Sequence, residues 1–121
     1  MTTQEVGKQL VDLCKQGKFE DAIKSLYSKD IVSVEATPMP DGSRESKGLD
    51  AVMGKTQWWV ANHEVHSSSV EGPLAAGNHF CVRFTMDITN KPSGKRMTMD
   101  ELGIYEVKDG KVVREEFFYP Y

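Results

Sequence analysis

Residues 97–119 read MTMDELGIYEVKDGKVVREEFFY, two long runs on either side of Asp109-Gly110. That dipeptide predicts a hairpin, because both central residues of the tight two-residue turn need positive φ. Side chains alternate between the faces of a strand. One face of the first run therefore carries Met97, Met99, Glu101, Gly103, Tyr105 and Val107, and the matching face of the second carries Val113, Glu115, Phe117 and Tyr119. These faces are mostly apolar and aromatic, with Glu101 and Glu115 in the middle. The opposite faces place Leu102, Ile104, Val112 and Phe118 among Asp100, Glu106, Arg114 and Glu116. A sheet that is partly apolar on both sides has two contacts to make. One face is expected to enclose a pocket and the other to meet a partner.

Upstream of this hairpin the periodicity changes. Thr2-Thr3-Gln4-Glu5 offers a capping box, and Val6, Leu10, Leu13 and Cys14 follow at helical spacing up to Gly17, a left-handed stop. A second short helix carries Phe19, Ala22, Ile23, Leu26 and Tyr27 on one side. Ile31 to Ala36 is β-branched and short, hence a strand. The segment 37–48 holds two prolines and two glycines and reads as a loop, long enough to form a rim or lid. A third helix is expected from Leu49 to Asn62, with Val52, Thr56, Trp59, Val60 and His63 on one stripe and Trp58 off it. Two strands follow, Glu64 to Glu71 ended by Gly72-Pro73, and Asn78 to Thr89 with Phe80, Val82, Phe84, Met86 and Ile88 facing one way. Asn90 to Gly94 turns into the hairpin. Helices segregated before an antiparallel sheet imply an α+β fold: a strongly curved, mostly antiparallel sheet with the three helices packed in its concave face, a cone with one open end and one pocket.

Length and composition narrow the functional classes. The 121 residues are expected to form a single domain with a real core. A net charge of −3 removes the main driving force for nucleic-acid binding and for an anionic membrane surface. No apolar run approaches the ~20 residues that span a bilayer, and the N-terminus has no signal-like core, so the expected location is cytoplasmic. Cys14 and Cys81 stand in no motif and are read as free thiols.

Once the elements stand in this order, the chain resembles the nuclear-transport-factor-2-like superfamily, and within it the SnoaL-like branch, which includes polyketide cyclases and has the ketosteroid isomerases as cousins. The residues carrying the resemblance are LYSKDIVSVEATP (26–38), KGLDAV (47–52), VEGP (70–73) and IYEVKDGKVVREEFFY (104–119). The resemblance covers essentially the whole chain and implies a cystatin-like α+β roll. It also implies which strand faces look inward. The general base of ketosteroid isomerases ends the first strand, a position that Glu35 occupies here. The strand before Gly-Pro then lines the pocket at His66, and the last strand lines it at Glu115, Phe117 and Tyr119. The isomerases' oxyanion-hole tyrosine falls at about Leu10 and their protonated aspartate at Gly103; neither residue can donate a side-chain hydrogen bond, so steroid isomerisation by that route is not expected. The superfamily hosts isomerases, dehydratases, cyclases and non-enzymatic binders, so function rests on the site.

The candidate residues then divide as follows. Glu35, at an inward strand end, is either a desolvated general base beside a carbonyl substrate or a rim residue paired with Arg44 or Lys47. Glu101 and Glu115 on neighbouring strands either repel, so that one keeps its proton and acts as acid, or are neutralised by a cation. His66 is either an acid/base or substrate anchor within reach of a glutamate or a structural histidine. Tyr27, Trp59, Phe84, Met86, Met99, Tyr105, Phe117 and Tyr119 either fill a core or wall a pocket for a small apolar ligand. No metal-ligand spacing, phosphate loop or nucleophile motif stands out, so neither a metal nor a cofactor is expected. The outer patch of Leu102, Ile104, Val112 and Phe118 is expected to form a homodimer interface. Two functions follow from these residues: a cofactor-independent cyclase, isomerase or dehydratase, or a non-catalytic ligand-binding or interaction module.

Overall fold

A computed structural model describes residues 1–120. The helices are α1 (Thr3–Lys15), α2 (Phe19–Leu26) and α3 (Leu49–Asn62), and the strands are β1 (Tyr27–Val34), β2 (Glu45–Lys47), β3 (His63–Ala76), β4 (His79–Asn90), β5 (Lys95–Lys108) and β6 (Lys111–Phe118). The six strands form one open mixed sheet in the order β2-β1-β6-β5-β4-β3. Only β1 and β6 run parallel; every other pair is antiparallel. Helices and sheet make an α+β fold. Among the described residues no helix is long and apolar enough to cross a membrane.

Local chemistry accounts for the boundaries. The Thr2 hydroxyl accepts from the Glu5 backbone N–H at 3.1 Å while the Glu5 carboxylate accepts from the Thr2 N–H at 2.9 Å, so the capping box is complete. Asp109 and Gly110 both have positive φ (53° and 75°), as the hairpin turn demands. Gly7 lets α1 approach β3: a Cβ there would stand 2.9 Å from Pro73 Cβ and 3.1 Å from Phe80 Cγ.

Several expectations about elements are corrected. Tyr27 is extended rather than helical and opens β1 directly after α2. The loop 37–48 contains β2, which pairs Glu45, Ser46 and Lys47 with Val34, Ser33 and Val32 and makes an edge for the sheet. Strand β3 does not end at Gly72-Pro73. It runs on to Ala76 through an irregularity between Glu71 and Leu74.

Two β-bulges decide which side chains face inward. In β3, Val65 pairs with Ile88 and Ser67 with Asp87, leaving His66 as an extra residue. One extra residue reverses the alternation on one side of it. The inward place that the resemblance implied for His66 is therefore not the one it holds. In β6, Val107 pairs with Val112 and Glu106 with Arg114, so Val113 is the extra residue. Val112, expected on the outer patch, is fully buried in the core, and Val113 does not hold the inward position assigned to it. Beyond Val113 the alternation is as read: Glu115 lies opposite Tyr105 and Phe117 opposite Gly103.

Candidate functional site

The inner face of the sheet and the helices enclose a cavity of about 610 Å³, within the range of small-molecule sites. Helices α1 and α2 contribute an apolar side through Leu10, Cys14, Phe19, Ala22 and Ile23. Tyr27, Trp59, Phe84, Met86, Met99, Tyr105, Phe117 and Tyr119, read as core or as pocket wall, lie along the cavity, and Tyr27, Phe84, Met86 and Tyr105 are at the same time buried members of the core. Exposed Pro38, Pro40, Trp58 and Val60 mark its mouth. Trp58 is 58% exposed, in keeping with its place off the buried stripe of α3. Val60, expected on that stripe, is exposed.

Glu35, Glu101 and Glu115 all line this cavity. They arrive from three places, just past β1, from β5 and from β6, because the pairing order sets β6 between β1 and β5. A chain of polar contacts joins two of them. The buried Glu115 carboxyl accepts from the Tyr27 hydroxyl at Oε1 and from the Ser33 hydroxyl at Oε2, the latter at 2.6 Å. Ser33 in turn accepts from Lys55 Nζ at 2.5 Å. The same ammonium stands 2.9 Å from Glu35 Oε1. Glu35 Oε2 accepts from the Tyr119 hydroxyl at 3.1 Å, and Thr37 Oγ1 lies 3.4 Å from that hydroxyl. The chain thus runs from the enclosed Tyr27 to Thr37, beside the mouth.

Glu101 stands apart from this chain. Burial first, then the charges of Glu35 and Glu115, push its carboxyl up to about 8, and Lys55 opposes them. No hydrogen bond contributes to that displacement. At neutral pH Glu101 is mainly a carboxylic acid facing the cavity, able to donate a proton or a hydrogen bond. Burial also pushes the Glu115 carboxyl above the ordinary glutamate range, against the pull of the Ser33 and Tyr27 hydrogen bonds and of Lys55. The Cys14 thiol is pushed up to about 12 by burial and by Glu115, which leaves no thiolate for nucleophilic work. Among the described residues no group of three His, Cys, Asp or Glu side chains is placed to hold a metal ion.

His66 is not in the cavity. The bulge turns it to the solvent side, where Nε2 lies 2.7 Å from Thr89 Oγ1 and the ring is exposed. Its expected role as anchor or acid/base beside the glutamates has no geometric basis. His63 is a structural residue: its ring stacks on Trp59 at 4.4 Å, and Nδ1 lies 2.8 Å from the Trp59 carbonyl. Of the two partners considered for Glu35, Arg44 reaches only its backbone carbonyl, at 3.0 Å, and the true ion-pair partner is Lys55. Gly103 does not leave an empty place. The ring of Tyr105 folds over it, and a Cβ at Gly103 would stand 2.8 Å from Tyr105 Cε1 and 2.9 Å from its hydroxyl.

Sequence reasoning missed Lys55 and Ser33. Both had a faint signal. Lys55 lies three residues after Val52 and four before Trp59, which puts it on the inward stripe of α3. Ser33 is a hydroxyl between two β-branched residues of a buried strand.

Residues 1–119 match the family model of the SnoaL-like domain. Among solved structures, a Mesorhizobium loti protein named a candidate SnoaL-like polyketide cyclase, with "carbohydrate phosphatase" in the same name, is 45% identical; the match covers 98% of this chain and 100% of that one, with a TM-score of 0.92. A candidate SnoaL-like polyketide cyclase from Jannaschia Sp. CCS1 is 15% identical over 97% of this chain and 84% of its own, with a TM-score of 0.76. A Catenulispora acidiphila protein with a ketosteroid isomerase-like fold, solved with trimethylamine, is 17% identical over 98% and 87%, with a TM-score of 0.73. At such identities the last two share the fold alone. No curated protein matches the sequence. With the family model running over nearly all of its length, and a relative of almost half its residues superposing throughout, the chain belongs to the SnoaL-like domain family.

Proposed function

We propose that the cavity is the site of a cofactor-independent acid/base enzyme, of cyclase, isomerase or dehydratase type, that moves a proton next to a carbonyl of an uncharged, largely apolar cyclic or polyketide-like substrate. The observation that carries this reading is the division of labour among the carboxyls. Glu101 holds its proton into the neutral range, while Glu35 on the same cavity is paired with an ammonium. A protonated acid and a carboxylate facing one apolar chamber are the two groups that enolisation needs. Glu35 takes the proton from the carbon next to the carbonyl, Glu101 gives its own to the carbonyl oxygen, and the product is the enol. Phosphate-ester chemistry fits less well, because the one lysine of the lining is already engaged by Glu35 and Ser33.

The test works with model ketones in place of the natural substrate. A panel of cyclic ketones such as 1-tetralone is incubated with the protein in heavy water, and loss of the α-proton signal is followed by proton NMR. Wild type accelerates exchange, and Glu35→Gln lowers the rate by about 10²-fold or more, the scale of a general base. If Glu35→Gln exchanges as fast as wild type, Glu35 is not the base. A second reading, a non-catalytic ligand carrier, is favoured by one feature: both Glu35 oxygens are already held, by Lys55 and by Tyr119. In that case ketones bind and stabilise the fold but exchange no faster than in buffer.

The outer face supports a homodimer. Leu102, Ile104 and Phe118 remain exposed there (45%, 36% and 48%) after Val112 is taken into the core. Light scattering on a sizing column is expected to give twice the chain mass at micromolar concentration; monomer mass alone would rule the dimer out.

A further inference from the structure

We propose that Lys55 is the positioning residue that decides which of the three cavity glutamates stays ionised. The catalytic consequence rests on the acid/base reading above; the protonation pattern does not.

Three carboxyls share one enclosed, apolar space with a single ammonium. In such surroundings an unpaired carboxylate is costly and takes up a proton instead. The ammonium cannot serve all three equally. Lys55 reaches inward from α3 with its Nζ 5.5 Å from the centre of the Phe117 ring. There it touches Glu35 directly, at 2.9 Å. It reaches Glu115 only through Ser33, by contacts of 2.5 Å and 2.6 Å. On Glu101 it is the weakest of the influences, outweighed by burial and by the other two glutamates. Proximity therefore selects Glu35 as the carboxylate and leaves the acid role to Glu101.

The surrounding groups do not provide a substitute. Strand β1 presents Tyr27 and Ser33, β5 presents Glu101 and Tyr105, β6 presents Glu115, α1 presents Cys14, and Tyr119 follows β6. None of these is a cation. The α2 side of the cavity is apolar. Arg44 gives its guanidinium to the Glu35 backbone carbonyl and to Glu116, not to the Glu35 carboxyl. Without Lys55 all three glutamates would be drawn towards the protonated form, and the base would be lost while Glu35 itself remained in place.

The experiment follows the side-chain carboxyl signals of the full-length, glutamate-labelled protein by carbon-13 NMR through a pH titration, with Glu35→Gln to assign the Glu35 signal. No substrate is added. In Lys55→Met the midpoint of the Glu35 signal moves upward from that of wild type, and Lys55→Arg restores it. Lys55→Gln, which keeps a hydrogen-bond donor near Ser33 without the charge, tests the same point should Lys55→Met not fold; it moves the midpoint in the same direction. An unchanged Glu35 midpoint in the uncharged variants overturns the proposal. Because the titration is made without substrate, failure of the ketone-exchange assay would remove the acid/base reading and leave this one standing.

Discussion

Glu101 makes the stability of the molecule depend on pH. Its carboxyl titrates at about 8 in the folded chain and near the ordinary glutamate value of ~4.3 when unfolded. Between those values the folded state holds a proton that the unfolded state has released, so stability falls as pH rises through that window and levels off above it. Each unit of displacement is worth about 1.4 kcal/mol, and the whole penalty is of the order of a few kcal/mol. Glu101→Gln cannot ionise and escapes it. Thermal unfolding at about pH 5 and about pH 9 is expected to show the variant gaining on wild type at the higher pH, with little difference at the lower. An equal effect at both would show that Glu101 is not the group held neutral. Alternation was enough to put Glu101 and Glu115 on one shared face, because the pairing from Leu102 to Glu106 with Phe118 to Arg114 is uninterrupted, and the family resemblance supplied which face looks inward. The lysine was harder to read. On an amphipathic helix a lysine beside the apolar stripe ordinarily ends in solvent, and only the carboxylates waiting across the cavity draw this one inward.

At the scale of the element, the bulges separate what was legible from what was not. All three helices and the hairpin could be read from the sequence, because capping residues, helical spacing and Asp109-Gly110 are chemical signals in the residues themselves. A bulge has no such residue signature here. His66 and Val113 are ordinary strand residues, and only the pairing with the neighbouring strand shows that each is the extra one. The error at His66 and the exchange of Val112 with Val113 have this one cause. It has a measurable consequence. Val112→Ala removes two methyl groups from a fully buried site and is expected to cost about 2 kcal/mol. Val113→Ala, at a half-buried position, is expected to cost less than about 1 kcal/mol. Urea denaturation of both variants checks the order, and equal costs would contradict the register of β6.

For the whole molecule, the decisive property is a chamber rich in carboxyl groups and poor in positive charge. Its single lysine is committed to Glu35 and Ser33, so an anionic ligand would enter without a counter-ion and lose its hydration. Two bicyclic probes of similar size test this. 1-Tetralone is expected to bind at least about tenfold more tightly than 1-naphthoate by calorimetry near neutral pH, a discrimination that comes from repulsion rather than fit. Tighter binding of the carboxylate would mean that Lys55 is freely available and that phosphate or carboxylate substrates belong back in consideration. The chamber was legible as an expectation of curvature and of a one-sided apolar lining. Its wiring was not, since the contacts from Tyr27 to Thr37 depend on side chains separated by up to 88 positions in the chain.

Gly103 and Tyr105 also constrain how this site could change over evolutionary time. With the phenol lying across the glycine, an acidic side chain at 103 would collide with its neighbour two residues along. A replacement at 105 that withdrew the ring would leave a void over a bare backbone. The two positions are thus sterically coupled. Lineages that carry an acid at this position should therefore carry a smaller or redirected residue two places further on, and the two positions should be inherited together.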